Sequence, residues 1–254
     1  MLGASACAAE EGAAGSSFEP AKPNVLTVAT AFLSAPGFWE GDPPTSGFEA
    51  ELASELAREL DLERVELVQV SFAKIVHGEL GGADLALSQL TPTREREKSV
   101  DFTTPYLTAA PGVLVRRPVE AVDVLTLRGL RWVVSSVSTL TPIVMDRIRP
   151  TITPIVVEDR SRALDELRAG RADAHLLDLP VALGLAHAEP ARFRMLAQLS
   201  GGEGLAAALP NGSPNRDIVD SAIRSLQADG TIDRLVSRWL GESLEDVPLI
   251  LTED

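Results

Sequence analysis

Four residues able to grip a small anion, Thr91, Thr93, Arg94 and Arg96, follow directly on the apolar run "DLAL". That density of donors exceeds what a plain loop requires. A guanidinium offers a planar, two-pronged hydrogen-bond pair that matches a carboxylate better than a lysine point charge does. A carboxylate, Asp178, ends a second apolar run, "ADAHLLD". An Arg and an Asp from separate parts of a chain suit a zwitterion, one at each end. Each also has a plainer reading. "REREK" reads as a solvated helix start, and Asp178 as the cap of the helix "LPVALGLAHA" that follows it.

The elements that must position these residues alternate. "NVLTVAT" (24–30) is a β-branched strand, and "FEAELASELAREL" (48–60) repeats apolar residues at Phe48, Leu52, Leu56 and Leu60, a helical stripe. A strand over 64–70, a short helix over 72–80 and the strand "LALS" complete a first series. A second runs strand 131–136, helix 141–148, strand 152–159, helix 161–171 and strand 172–178. Strands alternating with helices in this way predict α/β units with largely parallel sheets. The run "EGLAAALP" (203–210) is a further strand, and the closing helical pair is expected to return to the first half, so that the chain crosses between halves twice. Ligands of such sheets sit beyond the carboxyl ends of the strands, where Ser88–Arg96, Ser135–Thr141 and Asp178 lie.

Composition narrows the functions. The chain has 254 residues, 45% of them apolar, and a formal net charge of −14. That charge opposes nucleic acid and anionic lipid as partners. No run reaches the ~18–20 apolar residues of a membrane span. The single cysteine, Cys7, rules out an internal disulfide framework and a Cys-rich metal site, and no phosphate loop, zinc spacing or nucleophile elbow is present. No cofactor is called for. Residues 1–19, small and without period, are expected to lie outside the fold. They read either as a plain tail or as the remnant of an export signal with Cys7 as a lipidation candidate, although Ala4 stands where a lipoprotein signal usually has Leu.

Three stretches, "DLALSQLTPTREREKSVDFTTPYLTAAPGVLV", "LRAGRADAHLLDLPVAL" and "LQADGTIDRLVSRWLG", resemble signature stretches of the family 3 extracellular solute-binding proteins, the amino-acid receptors of ABC importers. The resemblance implies a periplasmic-binding-protein-like type 2 fold, with two α/β lobes, a ligand cleft and two crossover hinge strands. Lobe one is expected at about 20–114 plus 204–254 and lobe two at 115–203. It further implies that Arg96, twelve residues after Asp84, holds a ligand carboxylate with help from the Thr91 hydroxyl. The backbone at Gln89 faces the ligand, and a loop over Val137, Ser138 and Thr139 reaches the same carboxylate. Asp178 takes the ammonium, and aromatics at Phe38 or Trp39 and at Phe72 sandwich the side chain, although each of these is equally a core residue by type. The implied function is capture of a small amino acid outside the cytoplasm, in the periplasm or on the outer face of the cell membrane. The implied partner is an ABC permease, with the protein monomeric and non-enzymatic.

Departures from the family pattern shape the ligand. Ala31 and Phe32 stand where many members have an acid after the first strand, and "SSVSTL" lacks the usual Gly, so a neutral or apolar side chain is expected. Two rivals remain. A cleft enzyme of the same fold, such as a cyclohexadienyl dehydratase-like lyase, needs only one acid in the cleft. A sensory or scaffold domain uses lobe motion to signal. His77, His175 and His187 are scattered, and His175 reads as a core or cleft-wall residue.

Overall fold

The structure is a computed structural model that describes residues 17–33, 35–120, 123–241 and 247–251. In chain order the first half runs β1 (Val25–Thr30), a hairpin of β2 (Glu40–Gly41) and β3 (Pro44–Ser46), α1 (Phe48–Glu59), β4 (Arg64–Gln69), α2 (Phe72–Val76), β5 (Leu85–Leu90), β6 (Val100–Phe102) and β7 (Leu107–Ala109). Then come β8 (Pro111–Arg116), α3 (Val124–Arg128), β9 (Trp132–Ser135), a π-helix (Ile143–Ile148), β10 (Ile155–Val157), α4 (Arg160–Arg168), β11 (Ala174–Asp178), α5 (Leu179–Ala188) and β12 (Phe193–Leu199). The chain ends with β13 (Glu203–Pro210), α6 (Arg216–Ala228), α7 (Thr231–Trp239) and β14 (Leu249–Ile250).

Two six-stranded sheets result, one per lobe, beside the two-stranded β2–β3 hairpin. The first has the order β4-β1-β5-β13-β6, with β7 also on β13, and the second β10-β9-β11-β8-β12-β14. In the first, β1 lies parallel to β4 and β5, while β13 returns antiparallel beside β5. In the second, β9 lies parallel to β10 and β11, and β8 runs antiparallel between β11 and β12. Every residue of β1 and β5 is buried, as helices on both faces of a parallel sheet require. The apolar stripe of α1 buries Phe48, Leu52 and Leu56 completely, and α6 and α7 pack against it, so the closing helices do return to the first lobe.

Three boundaries differ from expectation. β8, with Pro111–Leu114, belongs to the second sheet, because its backbone pairs with β11 from Asp178↔Pro111 onward. β14 does too, pairing Gln198↔Leu249 with β12, so the last residues are not part of lobe one and the chain passes between lobes a third time. At the other end, Glu19 is already in the fold. It exchanges hydrogen bonds of 2.9 and 2.8 Å with the Asn215 side chain, and Phe18 packs on the core. Cys7, the lipidation candidate, lies outside the described residues.

Candidate functional site

The strand ends of both lobes converge on one cavity of about 70 Å³, room for on the order of five waters. Leu33 follows β1, Phe72 follows β4, and Ser88, Gln89, Thr91 and Arg96 lie at the end of β5 or beyond it. From the other lobe come Ser135 at the end of β9 and Val137–Leu140 beyond it, Asp159 and Arg160 after β10, and His175, Leu177 and Asp178 on β11. The lobes touch across it. Arg96 reaches the Val137 carbonyl, Arg160 reaches Gln89, and a Cβ on Gly184 of α5 would stand 2.4 Å from the Pro36 carbonyl oxygen.

Arg96 opens a short 3-10 turn whose first amide donates to the Thr93 hydroxyl at 3.2 Å. Within "REREK" it alone is buried, at 8% exposure, while Arg94 and Lys98 are exposed, so the solvated reading holds for its neighbours only. Its guanidinium donates to the Thr91 carbonyl at 2.8 Å and the Val137 carbonyl at 2.9 Å, and lies 5.4 Å from the centre of the Phe72 ring. Burial draws its pKa down, and the negative charges of Glu203 and Asp178 act against that. Glu203, at the start of β13, accepts from the Thr91 hydroxyl at 3.1 Å and from the Thr139 hydroxyl. Both hydroxyls expected to serve a guest carboxylate therefore meet an internal one. The Ser138 hydroxyl accepts from the Leu140 amide at 3.2 Å.

The opposite wall carries mixed charge. Asp178 makes no side-chain cap to α5. Its carboxyl faces the cavity, where burial raises its pKa to about 7; Arg160 pulls it down, while Glu203 and Glu49 push it up. Arg160, the first residue of α4, extends across the gap and donates to the Gln89 side-chain oxygen at 3.2 Å and the Leu33 carbonyl at 3.5 Å. Asp159 before it caps α4 by accepting from the Arg162 amide at 3.0 Å. His175, 2% exposed, bonds the Val133 carbonyl through Nδ1 at 2.9 Å, and burial and Arg160 hold its pKa near 4.

Gln89 sits in left-handed backbone, φ 50°, which an unbranched residue adopts only with support. The support is Glu49, fully buried at the head of α1. Its carboxylate accepts from the Gln89 amide at 2.8 Å, from the Gln89 side-chain amide, from Trp39 Nε1 at 2.6 Å and from the Tyr106 hydroxyl. Gln89 thus lines the cavity, but its N–H is committed to Glu49 rather than turned to a guest.

Arg96, Asp178, Thr91, Gln89, Ser138, Thr139 and Phe72 meet at this one place. Phe38 and Trp39 do not, which corrects the expected aromatic sandwich. Phe38 is 0% exposed and stacks edge-on against Phe48 at 5.7 Å, and the Trp39 indole is drawn inward because Glu49 accepts its N–H. Leu33 lines the cavity instead. Sequence reasoning missed Arg160, Glu203 and Glu49. Arg160 had no distinguishing signal in "EDRSR", where an Arg beside a helix cap is ordinarily solvated. Of the two places the sequence allows His175, core or cleft wall, it takes the cleft wall.

The chain is 28% identical over 210 residues to the L-cystine-binding protein TcyJ of Escherichia coli (strain K12), covering 80% of this chain and 77% of that protein. Among solved structures, an ancestral arginine-binding protein bound to glutamine matches at a TM-score of 0.76 and 27% identity, over 87% of this chain and 100% of that one. The ancestral amino-acid-binding protein AncCDT-1, a precursor of cyclohexadienyl dehydratase, matches at 0.70 and 28%, over 85% and 95%. The family model for bacterial extracellular solute-binding proteins, family 3, matches residues 26–242, the span that contains every residue lining the cavity. With its two α/β lobes closed on that cavity in the type 2 periplasmic-binding arrangement, the chain belongs to the bacterial extracellular solute-binding proteins, family 3.

Proposed function

We propose that the protein captures a small amino acid with an uncharged side chain outside the cytoplasm and delivers it to an ABC permease. One observation carries the reading: a buried guanidinium and a carboxylate from different lobes, Arg96 and Asp178, line the same cavity. Arg96 and Ser138 take the carboxylate, joined by Thr91 and Thr139 once their hydroxyls turn from Glu203 to the guest, and Asp178 takes the ammonium. Phe72 and Leu33 wall the space between. Relatives that bind cystine, glutamine and arginine agree with an amino-acid guest. The guest docks on lobe one and lobe two closes over it, bending at β7–β8 and β12–β13, and the closed state is favoured by as much as the guest prefers it. A micromolar guest of ~10 heavy atoms needs about 0.8 kcal/mol per atom, below the ~1.5 ceiling for very small ligands.

A second reading has its own observation. A carboxyl with a pKa of about 7 in a cavity is a competent general acid, and AncCDT-1 is a precursor of a dehydratase. The small cavity volume favours the smaller guest. Titration calorimetry with the twenty amino acids tests the two together with a product assay on cyclohexadienyl carboxylates. Saturable heat without turnover is the expected result. Product from a cyclohexadienyl acid, or silence from every amino acid, overturns the receptor reading.

A further inference from the structure

Arg160 and Asp178 both belong to lobe two and both line the cavity, yet they do not pair. Arg160 feels the negative charge of Asp178, but its guanidinium bonds neither to that carboxyl nor to any other acid among the described residues. A buried cation and a buried acid on one wall ordinarily close on each other, because each offsets the other's loss of water. Arg160 reaches to lobe one instead, where its Nη2 donates to the Gln89 side-chain oxygen at 3.2 Å and to the Leu33 carbonyl at 3.5 Å.

Glu49 aims that Gln89 oxygen. Its Oε1 accepts from the Gln89 backbone amide and the Tyr106 hydroxyl, and its Oε2 from Trp39 Nε1 and the Gln89 side-chain nitrogen. Burial pushes the Glu49 pKa up and these bonds hold it down. With both oxygens filled by donors, a carboxyl proton would find no acceptor, so the group serves as a carboxylate, which only accepts. The Gln89 amide must therefore turn its nitrogen to Glu49, and its oxygen alone is left for Arg160. The same carboxylate supports the left-handed Gln89 backbone, so one group fixes both main chain and side chain.

We propose that Glu49 and Gln89 are positioning residues: they draw Arg160 to lobe one and withhold it from Asp178, whose carboxylate stays available for the ammonium of a guest. The ammonium's part rests on the amino-acid reading above, while the withholding is a property of the protein alone. Around Asp178 stand Arg160, Glu203, Glu49, Arg96 and Asp159. His175 and Tyr106 are also near and are neutral at pH 7, since burial lowers the first pKa to about 4 and raises the second. Arg96 belongs to lobe one and is held by the Thr91 and Val137 carbonyls, so Arg160 is the cation able to fold back onto the acid. Without the clasp it would do so, and a guest would have to displace an internal cation.

The test is carbon-13 NMR titration of the Asp178 carboxyl in the full chain, with no amino acid added. In the unaltered protein the midpoint should lie near 7. Gln89→Met keeps an unbranched side chain of similar length without the oxygen, and it should move the midpoint down by about one pH unit or more as Arg160 pairs with the acid. Arg160→Gln should move it up. Adding Gln89→Met to Arg160→Gln should change nothing further, which a general loosening of the fold would not reproduce. Glu49→Gln should lower the midpoint more with Arg160 present than in Arg160→Gln, because the lost Glu49 charge acts alike in both; equal falls would remove Glu49 from the clasp. A midpoint in the ordinary carboxylate range in the unaltered protein, where folding is not in question, overturns the proposal, since Asp178 would then already be paired. So does a midpoint unmoved or raised in Gln89→Met, or one that falls as far with Arg160 replaced. No guest enters the titration, so its failure leaves the receptor reading standing, and silence from every amino acid in calorimetry leaves the withholding standing.

Discussion

Asp178 gives the receptor reading a pH signature. Its pKa is raised to about 7 chiefly by burial, with Glu203 and Glu49 adding to the rise and Arg160 opposing it. To hold an ammonium the carboxyl must be ionised, so capture below neutrality requires loss of its proton first. With a pKa near 7 it is half ionised at pH 7 and about 1% ionised at pH 5. The dissociation constant should therefore weaken by about fifty-fold between those values, roughly 2.3 kcal/mol. The ligand-free fold should respond with the opposite sign. The folded state binds the extra proton between the ordinary carboxylate range near 4 and about 7, so this group's contribution to stability falls as pH rises through that window. The assay is calorimetry from pH 5 to 8 in buffers of different ionisation enthalpy, which counts the protons released on binding, beside denaturant titration of the empty protein. His175, held near 4, and the two arginines keep their charge states across the range. Asp178→Asn should bind weakly and with a flat profile. A flat profile in the unaltered protein would refute the reasoning, because no ionisable acid would then face the guest.

Arg96→Ala should cost at least ~3 kcal/mol of affinity, by calorimetry, since a carboxylate would be left without its cation in a closed cavity; an unchanged constant would remove Arg96 from the site. Glu203→Gln keeps an acceptor for Thr91 and Thr139 while removing a negative charge from the carboxylate end. Affinity should rise about tenfold and the pH midpoint of binding should move down, because Glu203 helps hold the Asp178 pKa up. Gly184→Val places atoms against the Pro36 carbonyl, which a Cβ alone would approach to 2.4 Å. Scattering should show a more open average shape and calorimetry weaker binding, with the far-ultraviolet dichroism unchanged; undiminished affinity would show that closure does not bring these two segments together.

Much of the fold was legible where a pattern ran long enough to have a period. The four-fold repeat Phe48–Leu60 gave α1 to within a residue at its C-terminal end, and the β-branched run at Val25 gave β1. Strands such as β6, β7 and β14, three residues or fewer, carry no period and come into being only through their partners. β14 was assigned to the wrong lobe for that reason, since nothing in "PLIL" says which sheet edge it meets. At the site, Arg96 and Asp178 were legible through the family pattern. The Arg96 burial was not, because the exposed charges around it conceal one inward side chain. Phe38 and Trp39 were misplaced because an aromatic beside a loop fits a core as well as a cleft. The deciding partner, Glu49, lies ten residues after Trp39 on another element.

The late return of the chain to the second sheet adds a third covalent tie between the jaws, because β14 pairs with β12 while α7 packs on the first lobe. Detaching β14 should therefore change how readily the empty protein shuts while leaving every atom of the pocket untouched.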